Sequence, residues 1–278
     1  MKQKILNFLH RSYLAIIICL IYIPLIIVIL LSFTNGSVKD NLNLGFDWNA
    51  GQNWLNLFKN NEFINALINT TIIVVIVVPC STIIATITCF GIWHAKSFYK
   101  NTIIGISKIN IVIPDVISGI GLALLFAMTI IPMQINLGFA TIILSHISFC
   151  TPYAIILIYP RMLKMNKNLI LASLDLGYSS IHTFFKVTIP FLMPAIISAA
   201  ALVFGMSFDD FIITRLVGGK IDTISTQIYS MAKGIKMWAV TFGAIVVVVS
   251  IGLAILIAFK NTIFKRRLQV NKLEKQNE

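Results

Sequence analysis

The 278-residue chain is 58% hydrophobic and only 12% charged, with a mean hydropathy of +0.89. That balance leaves no soluble domain to explain and places the chain among multi-pass membrane proteins. A formal net charge of +12 would suit a nucleic-acid binder, but the basic residues are spread over the short segments between apolar blocks, with their excess on one side of the membrane, which argues against nucleic acid as a partner. Cys19, Cys80, Cys89 and Cys150 all fall inside apolar runs without metal-ligand spacing, so they read as inert core thiols and no metal site is expected.

A basic start with Lys2, Lys4 and Arg11 precedes the first predicted span, 13–33. This run exceeds the apolar core of a signal peptide and no small-residue cleavage site follows it, so it is expected to be retained, with a kink at Pro24. Residues 34–62 form a polar external loop with Trp48 and Trp54, read either as an interfacial aromatic belt or, for Trp54, as a cap on the substrate pathway. The second span, 64–90, contains Pro79, and Lys96, Lys100 and Lys108 return the chain to the basic side. The third span, 111–131, contains Pro114-Asp115 close to its start, a pair that could break the helix, and Gly119 and Gly121 soon after. Pro132 and Gly138 make a short external turn before the fourth span, 137–157, in which His146 reads as a buried, satisfied histidine. A cytoplasmic segment, 161–190, leads to the fifth span, 191–211, which ends in Asp209-Asp210. A polar stretch then runs to Lys236, before the sixth span at 238–259 and a basic tail at 261–278.

Counting Lys and Arg by side assigns 16 of the 22 to one face; the six on the other face are matched by Asp40, Asp47, Glu62, Asp209, Asp210 and Asp222. By the positive-inside rule both termini and the 161–190 segment are cytoplasmic. The expectation is one all-α membrane domain over 1–278, with six transmembrane helices.

The segment 169–196 organises the rest. Its arms, 169–176 and 180–187, are each too short to be stable alone in water. Gly177 suits a left-handed helix end, and Ser179 or Ser180 can start the second arm by accepting backbone N–H bonds. Phe184 and Phe185 stand on that arm with His182 and Lys186, and Pro190 and Pro194 open the next apolar block. Paired aromatics on a surface knuckle suit a partner's pocket.

The pattern Asp175-Leu176-Gly177 … Phe184-Phe185-Lys186-Val187-Thr188-Ile189-Pro190 resembles the EAA loop of ABC-importer permeases. In that family the loop docks on a separate ATPase subunit, so the resemblance implies that Asp175, Gly177, Phe184, Phe185, Lys186 and Pro190 couple this chain to an ATPase. Leu171, Ser173 and Tyr178 replace the Glu, Ala and small residue common there. The chain has no G-x-x-x-x-G-K-[ST] run, so it is expected to have no catalytic residues and no cofactor of its own, ATP and magnesium being bound by the partner.

Asp115, Asp209 and Asp210 lie in or beside the apolar phase, where carboxylates are costly and mark a pathway or a structural cap. Asp115 reads equally as a helix cap or a substrate contact. If the fifth helix continues through Asp209-Asp210, the two side chains point about 100° apart, and only one faces the lumen. Acids without facing Lys or Arg suggest a cationic passenger. The motifs Tyr22-Ile-Pro-Leu, Trp54-Leu-Asn-Leu-Phe-Lys-Asn-Asn, Ile113-Pro-Asp-Val, Ser145 to Cys150 and Ser207-Phe-Asp-Asp-Phe are similar to those of PotC-type permeases of spermidine/putrescine importers. The resemblance implies polyamine uptake past Asp115, Asp209, Asp210 and Trp54. It also implies a heterodimer with a PotB-type permease, two ATPase subunits, an external binding protein and a plasma membrane of bacterial type. Competing readings are an ABC permease for another organic cation, iron or a thiamine-like ligand, a stand-alone secondary transporter or channel, and a scaffold without transport.

Overall fold

The computed structural model describes the chain except residues 1, 35–47, 49–50, 232–233 and 278; side chains of 2–12, 14, 257–258 and 260–277 are also outside the description. The expected basic terminus and tail, and much of the 34–62 loop, therefore lie outside the described residues as far as their side chains are concerned. What is described is nearly all helix: α1 (Lys2–Leu31), α2 (Gln52–Leu57), α3 (Asn61–His94), α4 (Ser97–Val112), α5 (Asp115–Thr129), α6 (Phe139–Leu163), α7 (Lys167–Asp175), α8 (Ser180–Thr183), α9 (Ile189–Asp209), α10 (Ile212–Val217), α11 (Ile224–Ser230) and α12 (Met237–Asn277). Among the described residues, five helical stretches are long and apolar enough to cross a bilayer: Asn61–His94, Asp115–Met133, Phe139–Leu163, Ser180–Asp209 and Met237–Leu256. Ala15–Leu31 is a shorter apolar helix.

The chain separates into two compact units, Met1–Ile64 with Met231–Glu278, and Asn65–Ser230. In the first, α1 packs on α12, and α2 also lies against α12. Phe63 is buried between the rings of Trp238 and Phe242, at 5.6 and 5.4 Å. Glu62 and Lys236 form an ion pair beside this cluster.

The second unit is built around α6, which packs against α4, α5, α9 and α10. Its buried residues, among them Ile142, His146, Phe149, Cys150, Ile158 and Met162, cover more than one face, as expected of a helix enclosed by others. In lipid the apolar faces have no water to escape, so close contact and interhelical hydrogen bonds hold such helices together. Thr141 Oγ1 on α6 donates to Val217 O on α10 at 2.7 Å, and Asn110 Nδ2 on α4 donates to Phe149 O at 3.2 Å. Gly119 lets α5 approach α10: a Cβ there would stand 2.8 Å from Leu216 Cδ1 and 3.6 Å from the Ile213 backbone.

Three expectations need correction. The predicted third span, 111–131, is not one helix. Ile113 and Pro114 are extended (ψ 128° and 139°), because the residue before a proline is pushed out of the helical region, so α4 ends at Val112 and α5 begins at Asp115. The stretch after the fifth span is not a plain polar loop; α10 and α11 fold inward and bury Ile213, Val217 and Ile224. Finally, the second arm of the knuckle does not stop before Pro190. It continues through a π-helical turn, Phe184–Thr188, into α9. Pro190 has no N–H, and in a tight α-turn its ring would strike the Lys186 carbonyl; the wider π-turn lets the helix pass.

Candidate functional site

The two helix ends that carry the acids meet at one cavity in the second unit. Its volume is about 340 Å³, and Asp115, Asp209 and Asp210 all line it. Asp115 is the first residue of α5 and exposed; the N-cap position belongs to Pro114, and no side chain caps the helix. Asp115 therefore does not cap α5 by hydrogen bonding, although its charge suits the positive end of the helix dipole. Asp209 is the last residue of α9, where a negative charge opposes the dipole. It is exposed and forms no hydrogen bond or ion pair with the described residues. A carboxylate in a position the fold does not favour is a candidate for function rather than for stability.

Asp210 differs from its neighbour. α9 ends between the two, with Asp210 extended (ψ 122°), so the 100° helical offset does not separate them and both reach the cavity. The carboxylate of Asp210, however, is already engaged. Oδ1 accepts from Ile213 N at 3.3 Å, and Oδ2 accepts from Thr214 N and Thr214 Oγ1, both at 2.8 Å. His146 Nε2 lies 3.2 Å from Oδ2.

His146 is the buried, satisfied histidine expected of the fourth span: Nδ1 meets Ser207 Oγ at 2.9 Å and Nε2 meets Thr214 Oγ1 at 3.0 Å. Its carboxylate neighbour arrives from a distant part of the chain, which spacing along the sequence could not reveal.

Apart from Met206 and Ile212, the rest of the lining is aromatic. Phe211 and Tyr229 stack face to face with centroids 3.8 Å apart, and Phe149 and Tyr153 lie 5.4 Å apart on α6. None of these four was singled out from the sequence. Phe149 and Tyr153 carry a readable signal, an i, i+4 spacing that puts them on one helix face; Phe211 adjoins the acidic pair; Tyr229 carries none. Carboxylates beside aromatic faces can hold an ammonium ion and its methylenes together. Trp54 belongs to the first unit, where it stacks on Phe33 at 5.4 Å and donates Nε1–H to Ser32 Oγ at 3.2 Å.

At the knuckle, α7 closes with the two bonds of a Schellman motif: Gly177 N donates to Leu174 O (2.9 Å) and Tyr178 N to Ser173 O (3.2 Å). Gly177 has φ +86°, the left-handed conformation expected of it. Ser179 caps α8 by accepting from His182 N. Ser173, where the resembling family has Ala, is buried and hydrogen-bonds Thr183 Oγ1 at 2.9 Å, tying the arms together. The two phenylalanines part company. Phe184 turns in against Phe90 of α3, centroids 4.8 Å apart, whereas Phe185 is 59% exposed. Leu171, Leu176 and Ile181 are also exposed, as are Asp175 and Lys186, so the knuckle presents an apolar surface with two charges. Patches of this kind mark contact sites.

Residues 54–270 match the family described as "Binding-protein-dependent transport system inner membrane component". The chain is 44% identical to the spermidine/putrescine transport system permease protein PotC homolog of Mycoplasma genitalium over 98% of both chains. It is 47% identical to the corresponding homolog of Mycoplasma pneumoniae, over 90% of this chain and 88% of that one. The spermidine/putrescine transport system permease protein PotC of Escherichia coli K12 is 28% identical over 81% of this chain and 83% of its own. A solved bacterial ABC transporter involved in import of the acidic polysaccharide alginate superposes with a TM-score of 0.67, covering 94% of this chain and 97% of that one. At 14% identity that likeness concerns the fold alone. The resemblance drawn from the loop and span motifs is thus borne out. The chain is a multi-pass permease component of the bacterial cytoplasmic membrane and belongs to the family of binding-protein-dependent transport system inner membrane components.

Proposed function

We propose that this permease component carries spermidine or putrescine, and that the cavity between α5, α6, α9 and α10 is the part of the pathway that meets the cation. The observation that carries the reading is the convergence of Asp115 and Asp209, both without described partners, with the aromatic faces of Tyr153, Phe211 and Tyr229. The names of the Mycoplasma and Escherichia coli relatives point to the same cargo. Two free carboxylates do not neutralise a passenger with several positive charges, so a second permease subunit supplies further acids. In this reading Ala15–Leu31 is the first span and brings the number to six, both termini face the cytoplasm, and the 171–190 knuckle faces a separate ATPase that binds ATP and magnesium. Asp175, Leu171, Phe185 and Lys186 meet that ATPase; Gly177 and Phe184 hold the knuckle in shape; and an external binding protein delivers the polyamine. Trp54 anchors its own unit through Phe33 and Ser32.

The test is ATP-dependent uptake of labelled spermidine into vesicles containing this chain with its partner subunits. Loss of one charge-assisted contact, worth about 1.5–3 kcal/mol, should raise the half-saturating concentration about 10- to 100-fold in Asp209→Asn. Saturable uptake weakened in this way supports the reading. An intact, ATP-hydrolysing complex that takes up no polyamine overturns it.

A further inference from the structure

Four donors converge on the carboxylate of Asp210: the backbone N–H groups of Ile213 and Thr214, the Thr214 hydroxyl, and His146 Nε2. The Thr214 hydroxyl has a single proton, which goes to Asp210 Oδ2, so its oxygen must accept from His146. That places a ring proton on Nε2, while Nδ1 pairs with the Ser207 hydroxyl. Every polar atom of this cluster is matched. His146 is 2% exposed and the Asp210 side chain 9%, so no bulk water competes for these bonds. The cluster joins α6 through His146, α9 through Ser207 and α10 through Thr214, at the corner where α9 stops. Asp209, one residue earlier, is outside it.

We infer that His146 is a positioning residue for the cation site: with Thr214 and Ser207 it commits Asp210 to the α9–α10 corner, which turns Asp209 toward the passenger. The inference rests on the cation-transport reading above and adds a division of labour to it. Asp210 is the fixed post, Asp209 and Asp115 are the contacts, and His146 sets the angle between them without touching the cargo.

Side-chain reach supplies the test. His146→Gln extends an amide N–H toward the place of Nε2, whereas His146→Asn is too short to reach Asp210 and Thr214. In vesicles containing the whole transporter, His146→Asn should raise KM for spermidine about tenfold while the maximal rate stays within about threefold, and His146→Gln should return KM to within about threefold of wild type. Unchanged KM in His146→Asn, or KM and maximal rate failing together without rescue by Gln, overturns the inference. Thr214→Val against Thr214→Ser repeats the comparison on the other side of the cluster, should His146→Asn fail to assemble. Hydrogen exchange at residues 212–217 in the same complexes reads the corner whatever the cargo. It should be faster in His146→Asn and near wild type in His146→Gln, and unchanged exchange in His146→Asn overturns the inference. Wild-type complexes that ignore spermidine, but whose residues 212–217 respond as stated, overturn the polyamine reading and support the positioning role.

Discussion

Gly177→Pro is the sharpest probe of the knuckle. Gly177 sits at φ +86°, whereas proline is locked near −65°, so the substitution cannot preserve the turn. It also deletes the N–H that donates to Leu174 O and displaces the neighbouring Tyr178 N to Ser173 O bond, each worth about 1 kcal/mol. Leu176, now preceding a proline, loses its near-helical conformation (ψ 3°). Together with the cost of the lost turn, the native knuckle is disfavoured by about 3 kcal/mol, more than a hundredfold in population. Gly177→Ala keeps both hydrogen bonds and costs only the left-handed strain of an L-residue, about 1–2 kcal/mol, or about 5- to 30-fold. The arms remain joined by Ser173 to Thr183 and by Phe184 to Phe90, so the complex should still insert. The assay is spermidine taken up per ATP hydrolysed in proteoliposomes. Wild type, Ala and Pro should form a descending series, with Pro hydrolysing ATP yet transporting almost nothing. Wild-type coupling in an intact Gly177→Pro complex would refute the role given to this turn.

Two further outcomes follow from the packing. Gly119→Val should destabilise the purified complex by about 1–3 kcal/mol, because its Cβ meets Leu216 and the Ile213 backbone; Gly121→Val, whose Cβ has nothing within 4 Å, should not. Thermal unfolding in detergent compares them. Phe184→Ala should lower the unfolding temperature by removing the contact with Phe90, whereas Phe185→Ala should leave that temperature unchanged and weaken co-purification of the ATPase. The opposite ranking would reverse the roles assigned to the two rings.

The apolar runs, their lengths and the basic residues between them follow from chain composition, because a bilayer demands about 20 apolar residues per helix whatever the rest of the protein does. The left-handed Gly177 and a serine cap at 179 or 180 were legible for the same kind of reason, since both satisfy backbone groups within a few residues; the structure uses Ser179. The acids were legible as costly residues near lipid. What each acid does was not. Asp210 is held by His146 and Thr214 only because α6, α9 and α10 meet at one corner, and Asp209 is free only because α9 ends just after it. Nor does local pattern separate Phe184 from Phe185; the π-turn that carries the chain past Pro190, and the presence of Phe90 opposite, decide which ring turns inward. Local rules determined the elements and their candidate residues. The crossing of helices far apart in the chain decided which side chains are spent on the fold and which remain for a cation or a partner, because those contacts exist only once the helices are packed.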